Sequence, residues 1–151
     1  MNNRQRKKLP LRLAAAAADG KTGTVKHLLA KGADPNAPSP DGATPLYLAS
    51  VQGETRCAEL LLAAGASPAQ ESTGWRRGLP LVAAVVKADR PLVELLLRYG
   101  ADPRLPETNG GSALDWADGW DDDEEDRPAI AALLQAHLAR ALSRPSPAWS
   151  S

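Results

Sequence analysis

The sequence of this chain lacks phenylalanine and has one cysteine, one methionine and two histidines among its 151 residues. A single cysteine cannot form a disulfide within the chain, which favours a reducing compartment, so we predict a cytoplasmic protein. No apolar run approaches the ~20 residues that a membrane-spanning helix needs, so no membrane association is expected. Basic and acidic residues number eighteen each, and a chain without net charge is not expected to bind nucleic acid.

Candidates for catalysis are equally scarce. His27 and His137 are far apart, and the sequence has no nucleophile motif, glycine-rich phosphate loop or metal-ligand cysteine spacing. Cys57 falls where a helix with one apolar face needs a small buried residue, so it is interpreted as part of the core. We therefore predict a protein that is not an enzyme, with no catalytic residue, no metal site and no cofactor.

What the sequence does contain is an internal repeat. Three glycines, each preceded by leucines and followed by alanine and a turn, stand 33 and 35 residues apart: Gly32, Gly65 and Gly100. Each is predicted to end a helix in the left-handed conformation. A leucine stands nineteen positions before each glycine: Leu13, Leu46 and Leu81. A fixed period near 33 is typical of a solenoid, in which short helical units bury their apolar faces only by stacking.

The repeat resembles the ankyrin repeat. Residues 42–49, Gly-Ala-Thr-Pro-Leu-Tyr-Leu-Ala, and residues 65–68, Gly-Ala-Ser-Pro, follow the family pattern, with Tyr47 where the family has histidine and Ser67 where it has aspartate. The resemblance covers about residues 9–140. It implies an all-α solenoid of helix-turn-helix units joined by short hairpin-like loops. The predicted organisation is a basic tail, four repeats and a disordered Pro/Ser-rich tail: 1–8, about 9–37, 38–70, 71–105 and 106–142, and 143–151.

The resemblance implies that the protein binds a partner protein through a concave face and its hairpin tips. The family register places these partner-binding candidates there: Asp41, Ala43, Val51, Gln52, Trp75, Arg76, Arg77, Lys87 and Trp120. Trp75, Arg76 and Arg77 lie on a loop lengthened by two residues, and Trp and Arg often carry the binding energy of interfaces. Alternatively, Trp75 folds back over Leu46 or Leu114 as a lid. Trp116 is interpreted as core, and Tyr47 either ties neighbouring loops together or is an exposed contact.

The charges are unevenly placed along the chain. Residues 1–31 contain eight basic residues and one acidic residue, whereas residues 115–126 contain eight acidic residues and no basic one. Opposite charges at the two ends of a linear stack predict weak, salt-sensitive head-to-tail association. The basic start followed by apolar residues also resembles a secretion signal, but Arg12 interrupts the apolar run and Leu13 is in register with the repeats, which favours a first helix near residues 11–18.

The acidic run 121–126 has three interpretations: a solvated loop, an acidic lip that binds a partner with Trp120 as its anchor, or a cation site. The function predicted for the whole chain is a non-catalytic protein–protein interaction module. The alternatives are an inhibitor or antitoxin-like protein that blocks a partner's site, a self-assembling structural repeat, and a cation-dependent enzyme that uses the acidic loop.

Overall fold

The computed structural model describes residues 2–74, 77–108, 110–119 and 126–143. Eight helices lie in this part of the chain: α1 (Asn3–Ala18), α2 (Thr22–Ala30), α3 (Pro45–Gln52), α4 (Thr55–Ala63), α5 (Pro80–Val86), α6 (Arg90–Arg98), α7 (Ala113–Asp118) and α8 (Asp126–Leu142). The described β structure is a single antiparallel bridge between Ser72 and Gly78. The predicted all-α class is confirmed. None of the described helices is long and apolar enough to cross a bilayer.

The helices form two layers. The odd-numbered helices pack in the order α1, α3, α5, α7, and the even-numbered helices form a second layer in the order α2, α4, α6, α8. Because most of the helices are too short to be stable alone, stacking must supply their stability. The core between the layers is leucine, valine and alanine, and its largest members include Leu13, Leu28, Leu46, Leu61, Leu92 and Leu96. The predicted solenoid is confirmed.

Local sequence signals start and end the helices as expected. Thr44 precedes α3 and accepts a hydrogen bond from the backbone N–H of Tyr47 through its hydroxyl at 3.3 Å, which satisfies a donor that the helix leaves free. The three recurring glycines that follow α2, α4 and α6 have φ angles of 90°, 100° and 92°. Only glycine adopts these values without strain, which explains why the repeat requires it there.

The first helix differs from its prediction. It begins at Asn3, well before the helix expected near residues 11–18, so the segment predicted as a basic tail is helical from Asn3 onward. The cause is a capping box: the Asn2 side chain accepts from the Gln5 backbone at 3.0 Å, and the Gln5 side chain accepts from the Asn2 backbone at 3.3 Å. The charged side chains of this segment are exposed. The division of the chain into four repeats stays a prediction.

Candidate functional site

An open groove of about 480 Å³ lies along the layer of odd-numbered helices. Its floor is apolar and its rim is charged. The lining residues come from α3, α5 and α7, from the loops before α5 and α7, and from the end of α5: Tyr47, Val51, Arg77, Val82, Ala83, Val86, Lys87, Glu107 and Trp116. Two large apolar side chains stay well exposed there, since Val86 has 46% and Trp116 has 43% of its surface accessible. This groove is the candidate functional site.

The structure brings together three of the predicted binding residues. Val51, Arg77 and Lys87 all line the groove. Asp41 and Gln52 are exposed but lie outside its lining residues. Ala43 is only 2% exposed and lies outside the lining residues of the groove, so its role as a contact residue stays a prediction.

The remaining predicted residues lie outside the described part of the chain. These are Trp75, Arg76 and Trp120, together with the acidic residues 121–125. The two interpretations of Trp75, as an exposed contact or a lid, therefore both stay predictions, as do the three interpretations of the acidic run.

Trp116 is the residue that sequence reasoning placed wrongly. Its position corresponds to Leu48 of the second repeat, which predicted a core side chain, yet it is 43% exposed. Its side chain lines the groove beside Val86, on the open face of the layer rather than in the core between the two layers. Val82, Ala83 and Val86 were also missed, because every residue of α5 is apolar and hydrophobic periodicity therefore does not mark which face stays open.

Hydrogen bonds between repeats hold the walls of the groove in place. The Tyr47 hydroxyl donates to the backbone carbonyl of Arg77 at 3.0 Å, and the Leu79 N–H donates to Glu107 Oε1 at 2.8 Å. Glu71 accepts from the backbone and the hydroxyl of Thr108 at 2.9 and 2.6 Å. The expectation that Tyr47 ties neighbouring loops together is confirmed, and the groove is preformed rather than assembled by a partner.

Two hairpin tips pack directly against each other, through residues 41–44 of the first and residues 72–74 of the second. The Thr44 N–H donates to the Ser72 hydroxyl at 3.2 Å, and the Thr73 N–H donates to the carbonyl of Gly42 at 3.0 Å. Gly74 leaves no room for a side chain, since a Cβ there would lie 1.9 Å from the carbonyl oxygen of Asp41. This contact fixes the second tip, and with it the approach to Arg77 at the edge of the groove.

Replacing Gly74 tests the packing of the tips. We expect Gly74→Ala to lower the free energy of unfolding by about 1–3 kcal/mol, because the added methyl group must push two backbone segments apart. Gly23→Ala is the matched control, since a Cβ at Gly23 meets nothing within 4 Å, and alanine should leave α2 equally or more stable. Urea unfolding of the two variants measures the difference; equal stabilities would contradict the close contact of the tips.

Glu107 is a lining residue of the groove whose pKa is shifted from its ordinary value. Burial raises the pKa of its carboxyl, the N–H of Leu79 lowers it in part, and nearby Glu71 raises it further. Because folding raises the pKa of the Glu107 carboxyl, the folded chain binds the carboxyl proton more tightly than the unfolded chain does. The stabilising contribution is therefore complete below the unfolded pKa of about 4.3 and is lost as pH rises through the folded value.

The pH dependence of stability is the corresponding test. In Glu107→Gln the side-chain oxygen can still accept the hydrogen bond from the Leu79 N–H, but the side chain cannot ionise. Because only the wild type loses stability when Glu107 ionises, the variant should gain stability relative to the wild type as pH rises from 4 to 7. Urea unfolding across this range measures the difference between the two proteins, in which the contributions of the other carboxylates cancel. A difference that does not change with pH would show that Glu107 titrates as it does in the unfolded chain.

The other chemistry-bearing groups have structural surroundings. Cys57 is fully buried, as predicted, and burial, with a smaller effect of Glu54, raises the pKa of its thiol. Such a thiol is mostly protonated at neutral pH and is a poor nucleophile. Within the ranges that the structure describes, no three His, Cys, Asp or Glu residues are grouped closely enough to hold a metal ion.

Comparison with known proteins agrees with the repeat pattern. The profile of ankyrin repeats (three copies) matches residues 11–107. Cyclin-dependent kinase 4 inhibitor B of Rattus norvegicus is 48% identical over 56 residues, which are 37% of this chain and 42% of that protein. Human cyclin-dependent kinase inhibitor 2A is also 48% identical over 56 residues, 35% of its own length.

The aligned part is thus less than half of the length of these curated relatives. The repeat profile, in contrast, covers most of the chain, and the matched residues include the second half of α1 and all of α2 to α6. The chain belongs to the ankyrin-repeat family.

Proposed function

We propose that this chain is a non-catalytic protein-interaction module that holds a partner protein in the groove lined by α3, α5 and α7. The observation that carries the proposal is the exposure of Val86 and Trp116 above an apolar floor. A partly exposed tryptophan in a preformed concave site is typical of a binding surface. The ankyrin repeats and the resemblance to kinase inhibitors support the same class of function.

The rim indicates what the partner should offer. Lys87 lies at the end of α5 and has no ion-pair partner among the described residues. A partner should therefore offer an apolar side chain that packs on Trp116 and, next to it, a carboxylate that pairs with Lys87. Such a partner would complement both the apolar floor and the charged rim of the groove. The second tip adds Trp75, Arg76 and Arg77, which we propose as a further contact on the basis of their residue types and their position before α5.

Affinity capture from a native lysate tests the proposal. The wild type should capture a stoichiometric partner, and Trp116→Ala/Val86→Ala should lose it while remaining folded. The variant Trp75→Ala/Arg76→Ala/Arg77→Ala measures how much of the binding depends on the second tip. A partner retained in full by both variants would contradict binding in the groove, and a chain that captures only itself would favour self-assembly.

A second candidate function comes from the names of the relatives. Both are named as inhibitors of cyclin-dependent kinases, which favours a protein kinase as the partner and inhibition as the outcome. Adding the purified chain to a cyclin-dependent kinase 4 assay tests this candidate. Inhibition that Trp116→Ala/Val86→Ala abolishes would support it, whereas an unchanged kinase rate at saturating chain concentrations would reject this kinase as the target.

Three further hypotheses also remain as proposals. The basic residues of 1–31 and the acidic residues of 115–126 favour weak head-to-tail association, which light scattering should detect at low salt and lose at high salt, because exposed charges are screened. A cytoplasmic location rests on the single cysteine. The cation-dependent enzyme would need activity that falls when residues 121–126 are neutralised.

A further inference from the structure

The layer of even-numbered helices has a cleft of its own. It has a volume of about 690 Å³ and lies between the end of α6 and the C-terminal half of α8. Leu97 and Leu133 contribute apolar surface, and Tyr99, which is 41% exposed, stands beside them. None of its lining residues belongs to the groove on the other layer, so the cleft is a separate surface.

The cleft exists because the last helix is longer than the stack requires. α8 has 17 residues, whereas α2, α4 and α6 have nine each. Ile130 and Leu134 are the buried residues of α8. Beyond them, the C-terminal half of α8 lines the cleft together with Tyr99 and Gly100, through Ala136, His137, Arg140 and Ala141. Packing of the solenoid does not account for this extension.

The charge of the cleft is positive. Arg98 and Arg140 line it, together with His137, and no described residue forms an ion pair with either arginine. The acid among its lining residues, Glu94, is already engaged by Arg90 at 3.0 Å. Nearby Asp102 pairs with Arg104 at 3.2 Å. Hydrogen bonds from Arg104 are the main cause that lowers the pKa of Asp102, and the charge of His137 makes the smallest contribution.

We infer that this cleft binds a short acidic segment of a partner protein. Arg98 and Arg140 bind the carboxylates of the segment, since a guanidinium can donate two parallel hydrogen bonds to one carboxylate. An apolar side chain of the segment packs against Tyr99 and Leu133. The apolar side of the cleft favours a peptide over a free anion, because a free anion has no apolar side chain to bury there. Since the cleft lies on the second layer, such a segment can bind while the groove holds another part of a partner.

A phage-displayed library of random peptides, selected on the full chain, tests the inference. We expect an enriched class with aspartate or glutamate next to an aromatic or aliphatic residue. Synthetic peptides of this class should bind Arg98→Glu/Arg140→Glu at least about tenfold more weakly than the wild type, a loss of about 1.4 kcal/mol. Both arginines are exposed, and circular dichroism checks that the variant keeps its helices.

Two controls separate this cleft from general charge attraction and from the groove. Lys26→Glu/Lys31→Glu makes the same change in charge on exposed residues in α2 and directly after it. This variant should bind the peptides within about twofold of the wild type, because its new charges lie far from the cleft and are screened by salt. Trp116→Ala/Val86→Ala should also keep the peptides. Selected peptides without acidic enrichment, equal losses in both charge-reversal variants, or losses only in the groove variant would each overturn the inference.

Discussion

Leu61→Ala should lower the free energy of unfolding by about 2–5 kcal/mol, which is the range for a leucine truncated in a close-packed core. Leu61 is fully buried in α4, and α4 packs against both α2 and α6. The cavity would therefore weaken two interfaces of the stack at once. Urea unfolding followed by circular dichroism measures the loss.

The matched control is Leu11→Ala. Leu11 lies on α1 with 52% of its surface exposed, and a surface substitution of this kind should change stability by no more than about 0.5 kcal/mol. Equal effects of the two truncations would show that the layers of the solenoid do not share a common core, and would remove the basis for a preformed groove.

Trp116→Ala should weaken binding of the partner captured by the wild type by about 2 kcal/mol or more, which is close to a thirtyfold loss of affinity. The reason is that Trp116 is the largest exposed apolar side chain among the lining residues of the groove. A partner that covers an aromatic side chain of this size removes its surface from water, and such side chains often contribute most of the binding free energy. Isothermal titration with the purified partner gives the affinity.

Tyr99→Ala is the comparison for that variant. Tyr99 is 41% exposed, nearly the same as the 43% of Trp116, but it lies in the cleft between α6 and α8. It should leave unchanged the affinity of a partner that binds in the groove alone, without a segment in the cleft. Loss of binding in Tyr99→Ala with none in Trp116→Ala would move the principal site to the other layer of helices and contradict the proposed function.

The sequence predicts most of the fold because its strongest signals are local. Gly32, Gly65 and Gly100 must be glycine where φ is positive, and their spacing alone sets the size of the unit. Thr44 and Pro45 start a helix through the cap that they form themselves. The start of α1 was missed because charged residues suggested a tail, although Asn2 and Gln5 already contained the capping box that nucleates it.

The groove was less predictable because it depends on contacts between distant residues. Glu107 reaches Leu79 across 28 positions, and nothing in the local sequence marks that pairing. Trp116 has the sequence context of a core residue, but its side chain lines the groove beside residues of α3 and α5, which are distant in the sequence. Ala43 and Val51 both fit the family register, yet only Val51 lines the groove.

Hydrogen–deuterium exchange of the chain with and without its captured partner tests the central claim most directly. If the partner lies in the groove, exchange should slow at the backbone amides around Arg77 and Lys87 and in α7, because the partner covers them. Amides of α2 and α4, in the other layer, should exchange at unchanged rates. Protection confined to the even-numbered helices, with α5 and α7 unaffected, would contradict binding in the groove.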